Sequence, residues 1–268
     1  MRTYTRRIRD KWEAGERAYG ATIQMPCAEA VEIAGYTGYD FVWIDAEHGT
    51  LDLGDINTLV RAADAVGVDA IVRVPDHTPS FIQRVLDAGA TGIIVPHTST
   101  AAIAQAIVQA SKYEPEGTRG ACPATRAVGH YTQDWIADYR RANRDTLVFG
   151  LIEDPEGVAN VTDIARVGGL DGLVFGPFDL SMALGYEGDV AHPDIDAART
   201  RIVEATRNAG IEFVAIAGFG SGGLAAAVAA SGSRIINVTG DRGILVTVMQ
   251  AQLDELKNSL ISQPGKGQ

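Results

Sequence analysis

Short apolar runs recur along the chain, and most of them are continuous rather than alternating with polar residues. A continuous apolar run is typical of a strand that is buried on both faces of a parallel sheet. The pattern therefore predicts eight parallel strands. These runs cover residues 21–25, 41–45, 70–74, 92–96, 147–153, 172–176, 212–218 and 234–240.

Segments with helical periodicity separate the apolar runs, and several of them end in glycine, as helix C-termini often do. One example is LGDINTLVRAADAVG, at 53–67. Strands that alternate with helices imply parallel βα units. Eight such units predict an α/β protein with a (β/α)8 barrel. A doubly wound sheet is the alternative, which is weakened because no GxGxxG follows the first strand.

The spacing of the runs predicts one barrel domain over residues 1–268, interrupted once. An inserted loop region at about 114–145 is rich in Gly, Pro, Arg and aromatic residues. A loop of this length is usually a lid, a subunit contact or a disordered insert, and Trp135 argues against disorder. A C-terminal helix is expected at about 242–260.

Composition and charge exclude several classes of function. The apolar fraction of 46% and charged fraction of 21% suit a globular protein, whereas the net charge of −11 disfavours nucleic acid as a partner. The chain shows neither a secretory signal nor an apolar run long enough to cross a membrane, so a cytoplasmic location is expected. Cys27 and Cys122 lack metal or redox spacing and are interpreted as reduced.

Reactive side chains follow several of the predicted strands. The stretch FVWIDAEHGT (41–50) releases Asp, Glu and His directly after an apolar run, Arg73 and Glu153 end two other runs, and Asp179 follows a further one. Gln24 lies near the end of the first run. In a (β/α)8 barrel the chemistry gathers at the carboxyl ends of the strands. These groups therefore predict an active site, with a solvated loop as the alternative for 45–48.

A buried guanidinium or carboxylate is costly unless it is paired. Arg73 and Glu153 both end apolar runs, so each of them needs a partner. A divalent cation held by carboxylates would supply one, since Mg²⁺ and Mn²⁺ take oxygen ligands and keep positions open for substrate. A direct ion pair between Arg73 and Glu153 inside the barrel is the alternative.

The segments FVWIDAEHGTLD, YEPEGTRG, LIEDPEG and GPFDLS resemble, in order and spacing, the HpcH/HpaI family of metal-dependent (class II) 2-oxo-acid aldolases. The resemblance spans roughly residues 18–240. It implies a barrel of the phosphoenolpyruvate/pyruvate-binding type and a carbon–carbon lyase. Such an enzyme forms the enolate of pyruvate, or of a hydroxypyruvate-like acid, and adds it reversibly to an aldehyde. The implied cofactor is Mg²⁺, Mn²⁺ or Co²⁺, with Zn²⁺ as a further option.

The resemblance also implies roles for individual residues. Glu153 and Asp179 match the metal ligands. Arg73 matches the residue that holds the keto oxygen as negative charge develops on it. His48 matches the general base, and Asp45 lies beside it in the same motif. A histidine suits that role because its pKa is near neutrality.

The resemblance further implies a contact between subunits. Asp87 matches the family's partner for His48, but it falls at a helix end before the strand at 92–96, on the opposite face from the site. It would therefore act from a neighbouring subunit of a homo-oligomer, expected to be a hexamer built as a trimer of dimers; a capping Asp is the alternative. Substrate binding is assigned to Arg73 and to the segment Gly176, Pro177, Phe178 and Asp179.

Other functions remain open at this point. The same fold and enolate could serve a citrate-synthase-like condensation, an acyl-CoA lyase or a decarboxylase, and a non-catalytic 2-oxo-acid-binding protein is the more distant alternative. A Schiff-base aldolase is disfavoured because the lysines fall in helical or terminal segments rather than on strands. His77 and His97 follow strands and are interpreted as loop residues.

Overall fold

The computed structural model describes residues 6–217 and 224–261. Each predicted apolar run contains a strand, displaced by at most a few residues. The seventh predicted run extends to residue 218, which lies outside the described residues. The strands are β1 (Ala18–Ile23), β2 (Phe41–Asp45), β3 (Asp69–Arg73), β4 (Gly92–Val95), β5 (Leu147–Ile152), β6 (Gly172–Phe175), β7 (Glu212–Ile216) and β8 (Ile235–Gly240).

The eight strands form a closed parallel barrel in which each strand pairs with its sequence neighbour and β8 pairs with β1. Helices lie between consecutive strands, as parallel connections require. The predicted (β/α)8 barrel is therefore confirmed. The helices are α1 (Arg7–Glu13), α2 (Ala28–Tyr36), α3 (Leu53–Val66), α4 (Pro79–Asp87), α5 (Ala101–Ser111), α6 (Trp135–Asp145), α7 (Pro155–Ala165), α8 (Pro177–Ala183), α9 (Pro193–Ala209), α10 (Leu224–Ser231) and α11 (Asp241–Ile261).

Two apolar clusters form the core, and alternate strand residues divide between them. On β2, Val42 and Ile44 join the larger cluster between the sheet and the helices. Phe41 and Trp43 join the smaller cluster inside the barrel. Successive side chains of a strand point to opposite faces, so the continuous apolar runs serve both clusters. The next inward position on β2 belongs to Asp45, at the carboxyl end of the strand.

Helix α1 covers the amino-terminal end of the barrel. Ile8 is fully buried in the inner cluster, and Trp12 packs against the same cluster. The backbone N–H of Ile8 donates to Asp69 Oδ2 at 2.8 Å, which ties the helix to the first residue of β3. Because this end is covered by helix α1, the accessible end for chemistry is the carboxyl one.

The segment between α5 and β5 is ordered around aromatic packing. A short 3-10 helix (Arg126–Val128) precedes α6, and the rings of Tyr113 and Trp135 meet edge to face with centroids 5.3 Å apart. The side-chain amide of Asn143 donates to Tyr113 O at 2.9 Å and so ties α6 to the residues that follow α5. This region therefore packs on the barrel wall as a helical connection.

Helix α11 follows β8 and is anchored at its start. Asp241 Oδ2 accepts from the backbone N–H groups of Gln24 and Met25, at 2.9 and 3.0 Å. Apolar side chains are exposed further along the helix, including Val246 and Met249. Despite this apolar character, none of the helices in the described ranges has an apolar window suited to crossing a bilayer.

Candidate active site at the mouth of the barrel

Side chains alternate between the two faces of each strand, and this alternation brings three of the predicted site residues together. Trp43, Ile71 and Leu151 belong to the cluster inside the barrel. Two residues further along each chain segment come Asp45, Arg73 and Glu153. Since side chains two positions apart share a face of a strand, all three polar groups point into the barrel at its carboxyl end.

Arg73 and Asp45 form a buried bidentate ion pair. The two residues are register partners on β3 and β2. Arg73 Nε lies 2.9 Å from Asp45 Oδ1, and Nη2 lies 2.7 Å from Oδ2. Gln24 Nε2 also donates to Asp45 Oδ2, at 2.8 Å. Burial would raise the pKa of Asp45, but Arg73 and Gln24 outweigh burial and hold that pKa below its usual value. Asp45 is therefore an ionised anchor that fixes the guanidinium.

Glu47 and His48 extend the site from the β2–α3 loop. Arg73 Nη1 lies 2.9 Å from Glu47 Oε2, so the guanidinium bridges two carboxylates. Burial raises the pKa of Glu47, while Arg73 opposes that rise. The His48 ring is exposed, with its Nε2 3.8 Å from Glu47 Oε2. The backbone N–H of His48 donates to Asp45 Oδ1 at 3.2 Å, which sets the start of the loop.

Glu153 is the most strongly perturbed acid of the site. Its side chain is 2% exposed. Burial raises the pKa of Glu153 to about 7, and the charges of Glu47 and Asp179 add to that effect. The backbone N–H of His97 donates to Glu153 Oε1 at 2.8 Å and opposes the rise. A buried carboxyl with carboxylate neighbours and a pKa near neutrality marks a functional site.

Asp179 lies in the first turn of α8, outside the group formed by the ligand atoms of Glu47, His97 and Glu153. Its charge contributes to the raised pKa of Glu153, and its side chain is exposed towards the mouth of the barrel. Gly176, which precedes α8, leaves room for the side chain of Glu153. A Cβ at Gly176 would lie 2.7 Å from Glu153 Cβ and 3.0 Å from Glu153 Oε2. A side chain at position 176 would therefore displace Glu153, so the observed position of Glu153 requires a glycine there.

The donor set fits a divalent cation. Ligand atoms of Glu47, His97 and Glu153 lie within 4.8 Å of one another. With Asp179 and Asp45, the mouth of the barrel carries four carboxyl groups against the guanidinium of Arg73. A cation of charge +2 would offset the excess of negative charge and take carboxylate oxygens as ligands.

A cavity of about 270 Å³ opens beside Arg73, on the side of β1 and β8. Trp43 and Asn237 belong to its walls, and the buried indole N–H of Trp43 and Oδ1 of Asn237 have no hydrogen-bond partner among the described residues. Asn237 Nδ2 donates to Thr22 Oγ1 at 2.9 Å. The cavity is lined by Thr22, Gln24, Trp43, Asp45, Arg73, Ile216, Asn237, Thr239, Gly240 and Gly243.

Asp87 lies away from this group of residues. It is the last residue of α4, which leads into the amino-terminal end of β4. Its carboxylate accepts from Arg119 Nη2 at 2.6 Å, and the Arg119 side chain is only 2% exposed. Within one chain, Asp87 therefore pairs with Arg119. The predicted contact with His48 requires a second subunit and stays a prediction.

The buried lysine of the fold is structural. Lys112 follows α5, and its Nζ donates to the backbone oxygens of Asn143 and Thr146, at 2.6 and 2.7 Å. Burial lowers the pKa of Lys112, as for a Schiff-base lysine. Yet Thr146 directly precedes β5, so the amine lies at the end of the barrel opposite to Arg73 and Glu153.

Two site residues were missed by reasoning from the sequence. Glu47 was part of the quoted stretch but received no role, and His97 was interpreted as a loop residue. The structure places both beside Glu153. Their signal in the sequence is weak: each follows a strand end by two positions, and a loop of that kind can turn a side chain towards solvent or towards the site.

A parallel (β/α)8 barrel with acidic groups suited to a cation, an anchored Arg and an exposed His at its mouth is typical of barrel enzymes that use a metal ion to stabilise negative charge. The chain belongs to the HpcH/HpaI aldolase/citrate lyase family, whose match covers residues 24–241. The predicted family is confirmed, and with it a carbon–carbon lyase.

Named relatives agree with this assignment. The chain is 34% identical over 218 residues to a hydroxypyruvate/pyruvate aldolase of Paraburkholderia phytofirmans, covering 79% of this chain and 83% of that protein. It is 37% identical over 178 residues to a 2-dehydro-3,6-dideoxy-6-sulfogluconate aldolase of Pseudomonas putida, covering 66% of this chain and 69% of that protein. The crystal structure of the citrate synthase SbnG superposes with a TM-score of 0.85 at 32% identity, covering 93% of this chain and 97% of that one.

Proposed function

We propose that this protein is a divalent-metal-dependent aldolase that forms the enolate of pyruvate or hydroxypyruvate and adds it reversibly to an aldehyde. Relatives named as aldolases for these donors support the proposal. The observation that carries it is that Glu153, with Glu47 and His97 beside it, lies at the same barrel mouth as the guanidinium of Arg73, which Asp45 holds in place. Cleavage next to a carbonyl leaves negative charge on the keto oxygen, and these groups can stabilise that charge.

Glu153 and Asp179 would hold the cation, as the family resemblance implied, with Glu47 close enough to contribute an oxygen or to bind a water. The cation, when bound, would hold the carboxylate and keto oxygens of the 2-oxo acid and withdraw charge from the carbonyl. Gly176, Pro177 and Phe178 begin α8 beside Glu153 and would line the pocket of the substrate carboxylate.

Arg73 would hold the keto oxygen through the N–H groups that its carboxylate partners leave. Of its five N–H groups, two donate to Asp45, and Nη1 forms an ion pair with Glu47 Oε2 at 2.9 Å. The bidentate contact with Asp45 fixes the plane of the guanidinium, so the remaining donors are aimed before the substrate arrives. Such preorganisation is what makes charge stabilisation efficient in a site that excludes water.

His48 would move the proton. Its ring is 59% exposed at the mouth, within reach of a substrate hydroxyl or a water above Arg73. The loop that carries it is fixed by Asp45, which accepts the backbone N–H groups of both Glu47 and His48. Asp45 therefore positions the base and the guanidinium together. Asp87 of a neighbouring subunit would orient the His48 ring. The protein would then be a homo-oligomer, which we propose to be a cytoplasmic hexamer.

The aldehyde would enter the cavity beside Arg73. The volume of about 270 Å³ admits a small polar acceptor. Trp43 and Asn237 line this cavity, and the indole N–H and Asn237 Oδ1 have no partner among the described residues, so the hydroxyl groups of an aldehyde would supply one. We therefore include a hydroxylated aldehyde in the proposal as the preferred class of acceptor.

Hydrogen–deuterium exchange at the methyl group of pyruvate tests the proposal without an aldehyde. In D₂O, NMR should show exchange that requires Mg²⁺, Mn²⁺ or Co²⁺, that stops on addition of EDTA and that returns when the ion is restored. The variant Glu153→Gln should lose exchange and bind the ion weakly. The variant Glu204→Gln changes an exposed glutamate of α9 and serves as a control that should match the unaltered protein. Exchange that is indifferent to EDTA would refute the proposal.

A citrate-forming condensation is the second candidate, favoured by the likeness to a citrate synthase structure. It would add the enolate of an acetyl thioester, rather than that of pyruvate, to a 2-oxo diacid, and hydrolysis would release the thiol. Incubation with oxaloacetate and candidate donors, followed by mass spectrometry for citrate, separates it from aldol addition to aldehydes. Cleavage of a hydroxyacyl-CoA in the absence of oxaloacetate would instead indicate the acyl-CoA lyase alternative.

A further inference from the structure

His97 has a strained backbone conformation beside Glu47 and Glu153, which form the acidic cluster of the site. It follows β4 and has φ of +48°, the left-handed region that a residue with a side chain seldom adopts. In this conformation both its backbone N–H and its ring face Glu153: the N–H donates to Oε1 at 2.8 Å, and ring Nδ1 lies 3.3 Å from the same oxygen. Strain of this kind is maintained where the surroundings fix it, and it clusters at functional sites.

The ring nitrogen also lies near a second acid. Ligand atoms of Glu47, His97 and Glu153 all fall within 4.8 Å of one another. Opposite ligands of an ion with bonds of about 2.0–2.1 Å are separated by about 4 Å, so a small rotation of the exposed imidazole brings the three atoms within reach of one ion. The imidazole is 61% exposed and free to make that rotation.

We propose that His97 is an imidazole ligand of the cation and that it gives the site a preference for Co²⁺, Zn²⁺ and other transition ions over Mg²⁺. The inference rests on the proposed function, because it concerns the same cation. Imidazole nitrogen suits transition ions, whereas Mg²⁺ takes oxygen ligands and gives up its waters reluctantly. Without His97 the neighbouring ligands are all carboxylates, which is a donor set that Mg²⁺ accepts equally well.

His77, a second histidine that follows a strand at the same barrel end, offers a matched comparison. His77 follows β3, just as His97 follows β4, and its Nε2 lies 2.7 Å from the backbone oxygen of Pro96. It is not a member of the acidic cluster among the described residues. Removal of His77 therefore controls for general effects of losing a strand-end imidazole.

The test compares His97→Asn with His77→Asn. Asn tolerates the left-handed conformation, so the substitution at 97 removes the imidazole while keeping the backbone. His97→Gly is a second variant that tolerates the same φ. Dissociation constants for Co²⁺, Zn²⁺ and Mg²⁺ are measured by calorimetry. In His97→Asn we expect affinity for Co²⁺ and Zn²⁺ to fall by at least about tenfold and affinity for Mg²⁺ to change by less than about threefold.

A direct readout accompanies the affinities. In protein labelled with ¹⁵N at histidine, titration with diamagnetic Zn²⁺ should shift one imidazole nitrogen signal that is missing from His97→Asn and present in His77→Asn. Unshifted histidine signals, or unchanged affinities for all three ions in both variants at position 97, would overturn the inference. Metal-dependent exchange of pyruvate protons in that case would leave the proposed function intact, whereas an unaltered protein that binds no divalent ion would refute the proposed function itself.

Discussion

Metal binding at this site should be coupled to a proton, because the acid at its centre is half protonated near neutral pH. Burial raises the pKa of Glu153 to about 7 from a usual value of 4.5. A carboxylate must lose its proton to bind a metal ion, so protons and the ion compete for Glu153. A change of pH across the physiological range should therefore alter the affinity of the unaltered protein for the ion.

The size of the effect follows from the two pKa values. With a pKa of about 7, about a tenth of Glu153 is ionised at pH 6 and about nine tenths at pH 8, so the apparent Kd for the ion should rise about tenfold from pH 8 to pH 6. With the usual value of 4.5, nearly all of Glu153 is ionised over that range and the Kd would stay almost constant. At pH 7, binding should release about half a proton from this group.

Calorimetry in two buffers of different ionisation enthalpy measures both quantities. The titrations are repeated with His97→Asn, so that the pH dependence that remains belongs to the carboxyl groups. We expect that remaining dependence to be about tenfold between pH 6 and pH 8. A constant Kd in that variant, with no proton released at pH 7, would refute the raised pKa and the dry environment from which it follows.

Further substitutions test the remaining parts of the site. Arg73→Lys removes the bidentate contact with Asp45 and should slow pyruvate proton exchange by about 10²-fold or more in NMR assays; an unchanged rate would exclude Arg73 from charge stabilisation. Asn237→Leu should raise the KM for hydroxylated aldehydes about tenfold in cleavage assays and leave pyruvate exchange unchanged, and equal effects on both would remove the cavity from acceptor binding. Asp87→Ala leaves a buried guanidinium without its carboxylate and should lower the free energy of unfolding by about 3 kcal/mol in urea titrations; unaltered stability would mean that the ion pair contributes nothing.

The strands and the inward-facing acids could be predicted from the sequence because both depend on local periodicity. Each buried strand reads as a continuous apolar run, and the polar residue that ends it falls on a known face. Asp45, Arg73 and Glu153 were found in this way. The sequence does not decide the partner of Arg73. A pair with Glu153 is one alternative, whereas the structure shows ion pairs of Arg73 with Asp45 and Glu47. Register between β2 and β3 decided the partner, and no single strand contains that information.

Loop residues escaped prediction for a physical reason. The direction of the His97 side chain depends on a backbone turn with φ of +48°, which a sequence pattern does not specify. Glu47 is likewise held by Arg73 from the next strand. The apolar positions of α11 and the place of Asp87 at the end of α4 could be read from the chain, whereas the predicted contact of Asp87 with His48 requires a second subunit. Periodicity thus predicts strand residues well, whereas contacts between loops or subunits need coordinates.

The site stores unfavourable electrostatic energy that its cation is suited to release. Asp45 and Glu47 both pair with the guanidinium of Arg73, and burial still raises the pKa of Glu153. Gly176 lets the chain pack tightly around Glu153, which removes water and adds to the cost of ionising it. The same enclosure strengthens the interaction with any charge that develops on a substrate oxygen. The burial that makes Glu153 costly without a cation therefore also makes the mouth of the barrel effective for enolate chemistry when a cation is bound.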